Sequence, residues 1–286
     1  MSIPGADAPP CIMEALSAVA LPLPVAVSEL EIPGPDRSIP LRLYRPAAAG
    51  VVPVVLYFHG GGFVRGGLDD ADPPARHLAA HCPALVLAVG YALAPRHPFP
   101  AAPEDAHAAL AWAARHAAAL GGDGDRLAVA GDDAGGNLAA CVSMIARDRA
   151  GVEPAAQVLI GPMLDPSMTR LGDAARLRSD VDERACAECY RQYLPQAAQR
   201  LHPYAAPLES RRLRGLPPAF IATAECDVLH NEAENYAAAL IAAGVHTEVA
   251  RYADVRHGEL RVHPPMLREV AGFLRRRLSR PPDTPA

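Results

Sequence analysis

The stretch Gly131-Asp132-Asp133-Ala134-Gly135-Gly136 places a carboxylate where a tight turn would lift one side chain clear of its surroundings. It joins an apolar run over 126–130 to a helical pattern over 134–149. That is the form of a nucleophile elbow, a strained strand-to-helix turn flanked by glycines because backbone passes close on both sides. Serine is the usual occupant of the raised position, and here it is Asp133. A serine needs a base to remove its proton, whereas an aspartate is already ionised at neutral pH.

Further pieces are placed to converge on it. His59-Gly60-Gly61-Gly62-Phe63 follows the apolar run 51–58. Successive glycines let backbone N–H groups face one point, which is how an oxyanion is held. The N–H of Ala134, at the start of a helix, would point to the same place. Asp227 follows the run 219–223, and His257-Gly258 follows the run 246–252. Glu225 and Asp132 compete with Asp227 as the acid that orients His257. His59, Phe63 and Asp132 are expected substrate contacts. A negative charge at 133 within reach of His257 predicts a raised imidazole pKa.

These residues must be held by a scaffold. Continuous apolar runs at 51–58, 84–90, 126–130, 155–160 and 219–223 read as strands buried on both faces of a parallel sheet, with 246–252 after them. Runs at 28–32 and 38–44, joined by Pro33-Gly34-Pro35, read as an edge hairpin. Helical spacing marks 69–82, 102–120, 134–149, 231–243 and 265–278. Strands alternating with helices predict a mostly parallel eight-stranded α/β sheet flanked by helices, with ligands at the carboxyl ends of the strands. Residues 165–217 break the rhythm, being too long for a plain crossover, and are read as a helical cap insertion. The expected organisation is thus an N-terminal cap segment at 1–27, core at 28–164 and 218–279, and a frayed tail at 280–286.

The 286 residues carry a formal net charge of -5, all 27 basic residues being arginine, so nucleic acid and anionic membrane surfaces are not expected partners. No apolar stretch is long enough to span a membrane. The start lacks a basic n-region and is interrupted by Pro22 and Pro24, so no secretory signal is expected. Six cysteines are scattered, and the one close pair, Cys186 and Cys189, lies in a helical pattern and is read as structural. The expected setting is cytoplasmic with reduced thiols, without metal or cofactor, the substrate a small molecule and a homodimer possible.

From about residue 38 to 278 the chain resembles the hormone-sensitive-lipase-like family (family IV esterases) of α/β hydrolases. The resemblance is carried by His59-Gly60-Gly61-Gly62-Phe63, the segment from Tyr91 to Ala102, the elbow with Asn137-Leu138-Ala139, Gly215-Leu216-Pro217-Pro218, Asp227-Val228-Leu229 and His257-Gly258. It implies the α/β-hydrolase fold, oxyanion donors at Gly61, Gly62 and Ala134, and Asp227 and His257 as acid and base. The order nucleophile, acid, histidine is that of α/β hydrolases. The chain departs from the family at Asp133 (usually serine), Ala92 (arginine), Arg96 (glutamate) and Glu259 (phenylalanine). Other α/β hydrolases, the haloalkane dehalogenases and epoxide hydrolases, use an elbow aspartate to attack saturated carbon. The expectation is therefore a hydrolase acting on a small apolar substrate of epoxide or ester type. In it Asp133 forms a covalent ester that water, activated by His257 and Asp227, cleaves. Tyr190, Tyr193 and Tyr204 are candidates to activate an epoxide, and Trp112 is read as packing. The competing readings are a lyase or cyclase using Asp133 as base, and an impaired relative, natural or engineered, that only binds a ligand.

Overall fold

Side chains of β3 (Val52–Phe58) alternate between two apolar clusters. Val54, Leu56 and Phe58 enter one, while Val55 and Tyr57 enter the other. A strand covered on both faces has no polar side to show, which is why its sequence is continuously apolar. The computed structural model describes residues 22–279. Its sheet has eight strands, adding β1 (Val25–Pro33), β2 (Ser38–Pro46), β4 (Leu85–Val89), β5 (Gly122–Asp132), β6 (Ala156–Ile160), β7 (Ala219–Cys226) and β8 (Thr247–Arg256), in the order β1-β2-β4-β3-β5-β6-β7-β8. β1 and β2 form an antiparallel hairpin, β2 pairs antiparallel with β4, and every later pairing is parallel.

Five helices follow the expected positions: α1 (Leu68–His81), α2 (Ala101–His116), α3 (Ala134–Asp148), α6 (His230–Ala242) and α8 (Pro264–Leu278). The helix expected to reach residue 120 leaves α geometry at His116, and a 3₁₀ turn, Ala117–Leu120, carries it to Gly121. Several strands, β5 and β8 among them, run past the stretches that mark them in the sequence. β5 begins at Gly122, with a register shift against β3 at Pro53/Val54, and β8 continues to Arg256, with a shift against β7 at Ala224/Cys226. Backbone pairing extended these strands past the point where burial stops marking the sequence. The extension of β8 delivers α7 (His257–Leu260) to the carboxyl end of the sheet.

β1 begins at Val25, inside the 1–27 segment read as a cap. Residues 1–21 of that segment and the 280–286 tail lie outside the described residues. Between β6 and β7 run α4 (Ala174–Leu177), α5 (Glu183–Tyr193) and two 3₁₀ turns, with no strand among them. Asp182 caps α5, its carboxylate accepting from the Ala185 N–H at 2.8 Å. Cys186, Cys189, Tyr190 and Tyr193, three or four residues apart, form its buried stripe. That stripe packs on the loop after β3, where Phe63 stacks on Tyr193 at 3.8 Å with an interplanar angle of 3°. The pair Cys186 and Cys189 is thus part of the core, both thiols free.

Candidate active site

Asp133 stands alone between β5 and α3 with φ 53° and ψ -117°, a left-handed conformation that costs a non-glycine residue of order 1–3 kcal/mol. Its neighbours hold it there: its N–H donates to the Ile160 carbonyl at 2.9 Å, and its carbonyl accepts from Met163 at 3.2 Å. Gly135 is required because a Cβ there would run into the Phe58 carbonyl. Gly62, at φ 61°, is required twice over, since a Cβ would also meet the Cys189 sulfur.

The raised carboxylate points into the glycine loop. Its Oδ2 accepts from the N–H of Gly61 and of Gly62, both at 2.8 Å. Oδ1 faces His257, whose Nε2 lies 3.8 Å away. The Nδ1 of His257 meets Asp227 Oδ2 at 2.8 Å. Asp227 is fully buried, and its other oxygen accepts from the Leu229 N–H at 2.9 Å. Asp227 is therefore the acid beside His257. Glu225 instead accepts from the Asp254 N–H, and Asp132 from the Tyr57 hydroxyl at 2.8 Å. Ala134 opens α3 directly behind the elbow and is fully buried.

Burial works to lower the His257 pKa, but the charge and hydrogen bond of Asp227, then Asp133 and Asp180, override it and raise it to about 10. The imidazole is therefore a cation at neutral pH, as a carboxylate at 133 predicts. Glu259 turns its carboxylate to the Arg256 N–H, and a further negative charge beside His257 comes from Asp180 of the cap segment, which accepts from the Gly258 N–H at 3.0 Å. Asp132 is pushed up to about 6 by burial, against the Tyr57 hydrogen bond and with the Asp133 charge beside it.

The cavity over these groups measures about 270 Å³. Among the described residues, Arg65, Asp70, Asp132, Asp133, His257 and Arg261 line it, and Ile160 is its one larger apolar side chain. A small apolar substrate was expected, and the walls combine charged side chains with a comparable share of apolar surface. Of the expected contacts, only Asp132 reaches the cavity. His59 is buried, stacked on Tyr91 at 4.3 Å, and Phe63 is buried against the cap. Both support the loop from behind, because the dry side of the loop is where their rings find partners. The expected epoxide-activating tyrosines are likewise elsewhere. The hydroxyls of Tyr190 and Tyr193 are buried with no hydrogen-bond partner among the described residues, and that of Tyr204 donates to Asp148. Trp112 packs beside His116 on α2.

Arg65, Asp70, Tyr57, Asp180 and Arg261 were not picked out from the sequence. Two of them had a usable signal: Arg65 lies two residues past the glycine loop, and Arg261 one helical turn past His257. Beside the altered position 92, the Ala92 N–H donates to the Asp105 carboxylate at 2.9 Å, and Arg37, in the turn between β1 and β2, donates to the same carboxylate at 2.8 Å.

Chemically, the arrangement holds one carboxylate oxygen in an amide cradle and leaves the other free beside an imidazolium tethered to a buried acid. Comparison with known proteins gives this geometry a lineage. Residues 55–261 match the family model for the alpha/beta hydrolase fold. Carboxylesterase NlhH of Mycobacterium tuberculosis is 44% identical over 226 residues, 77% of this chain and 70% of that protein. An ethyl acetate hydrolase of Pseudomonas putida is 39% identical over 251 residues, 84% of this chain and 77% of that one. The crystal structure of EstE1, a thermostable carboxylesterase from a metagenomic library, superposes with a TM-score of 0.86 at 37% identity, covering 90% of this chain and 91% of that one. The chain belongs to the α/β hydrolases of the carboxylesterase-like, hormone-sensitive-lipase type.

Proposed function

We propose that this hydrolase acts through a covalent ester on Asp133, formed by attack of Oδ1 on a saturated carbon such as that of a small epoxide. The observation that carries this is the seat of Oδ2 between the Gly61 and Gly62 amides. An ester substrate needs those donors for its own carbonyl oxygen. Attack on saturated carbon does not, because the charge that develops later sits on Asp133 itself.

The proton balance suits an epoxide. Oδ1 forms a bond to carbon, the carbon–oxygen bond of the ring breaks, and the alkoxide takes the proton of the His257 imidazolium. His257, now neutral and held by Asp227, removes a proton from water as that water attacks Asp133 Cγ. The oxyanion forms on Oδ2, within the amide cradle. Collapse breaks the bond between Cγ and Oδ1, and the acid proton passes to the leaving alkoxide. A diol departs, leaving the carboxylate and imidazolium as at the start. The raised pKa of His257, a handicap for a serine mechanism, here provides the acid that the buried tyrosines do not.

Single turnover in ¹⁸O-labelled water tests this. The label is expected in the Asp133 carboxylate, read by peptide mass, with the first product unlabelled. Label in the product alone, with none in the protein, makes Asp133 a base. Replacing His257 by Gln removes both the ring-opening acid and the water-activating base, so an adduct of epoxide mass is expected to form slowly, with bulk water as proton source, and then to persist on the protein. If Asp133 merely plugs the cradle of a ligand-binding relative, neither label nor adduct forms.

A further inference from the structure

We infer that Arg65 is a specificity residue that holds a carboxylate on the substrate, so that the substrate is a small monoanion whose reacting carbon lies beside Asp133. The inference specifies the substrate class of the site proposed above, and it rests on that reading only for which end of the molecule reacts.

Arg65 lines the cavity, and its place relative to the cradle is fixed by backbone. Its N–H donates to the Gly61 carbonyl at 3.1 Å, while the Gly61 N–H holds Asp133. Its side chain is exposed and makes no ion pair or side-chain hydrogen bond among the described residues. The other guanidinium in the cavity is engaged. Arg261 donates to the Asp70 carbonyl, and its Nη2 lies 3.8 Å from the Asp70 carboxylate. Among the described residues Arg65 is thus the open cation of the site.

Arg65 and Arg261 share the cavity with Asp70, Asp132 and Asp133, Arg261 is taken by Asp70 and His257 by Asp227, which leaves Arg65 as the cation without an acid partner among the described residues. A carboxylate matches the planar guanidinium fork through two parallel N–H···O bonds.

Binding of butyrate and of its uncharged isostere butyramide tests the inference without turnover, so it stands or falls apart from the chemistry of Asp133. In calorimetric titrations of the full chain, butyrate is expected to bind roughly tenfold more tightly than butyramide, as for one charge-assisted pair at a partly exposed site. Added salt should narrow the gap. Arg65→Gln should remove the preference, and circular dichroism should show an unchanged fold. Equal binding of the two probes, failure of both to bind at 100 mM, or a preference that survives in Arg65→Gln would each overturn it. With a 2,3-epoxycarboxylate and its amide as substrates, Arg65→Gln should raise KM for the acid alone and leave kcat within twofold.

Discussion

The loop after β3 has two unlike sides. One presents the Gly61 and Gly62 amides and Arg65 to a charged cavity. The other drives Phe63 onto Tyr193 and His59 onto Tyr91, where no solvent reaches. Five consecutive residues therefore serve two purposes, backbone for chemistry and rings for rigidity. The difference teaches that aromatic character beside a catalytic loop is no guide to recognition. The rings are used up in packing, Phe63 against the cap and His59 on Tyr91, and the charged groups lie on the other side.

The strongest way to break that contrast is to change the group in the cradle. Asp133→Ser empties the seat of Oδ2 and removes one of the charges that raise His257. Hydrolysis of short p-nitrophenyl esters is expected to rise by on the order of 10⁴-fold over the unaltered chain. An equal ester rate in both proteins would show that the cradle was never blocked. On the dry side, Tyr193→Ala removes the partner of Phe63, and a loss of about 3–5 kcal/mol in chemical denaturation is expected. If Phe63 only supports the loop, KM of the folded fraction stays unchanged.

Two smaller effects sharpen the picture. Tyr57→Phe leaves the buried Asp132 without its donor, a cost of about 1–3 kcal/mol, and should push the Asp132 pKa above its present value near 6. Stability should also depend on pH through His257. Its pKa is about 10 when folded and 6.5 by ordinary standards, so its contribution is complete below about 6.5 and is lost as pH rises through 10. Thermal melts from pH 6 to 10 should show that fall in the native chain and a flatter profile in His257→Gln.

Much of this architecture was legible in the residues. The strands of the parallel sheet announce themselves because a surface buried on both faces must be apolar throughout, and the elbow because only glycine allows backbone so close. Asp133 and Asp227 follow such strands and His257 follows the largely exposed edge strand β8, so sheet topology alone brings them to one end. The ends of β5 and β8 were less visible, since hydrogen bonding continues there without burial. Gly61 and Gly62 were legible as donors because their chemistry lies in the backbone. The fates of His59, Phe63 and the cap tyrosines were not, because a ring on a loop packs equally well inward or outward until its neighbours are known.

Sequence by itself determined the fold, the order of the functional groups and the presence of a carboxylate where serine is usual. All of these are properties of single residues and of their local periodicity. Tertiary structure decided which oxygen of Asp133 fills the cradle, which acid holds His257, and which side chains form the cavity wall. Those outcomes depend on groups far apart in the chain competing for the same partners, and only packing in three dimensions settles such a competition.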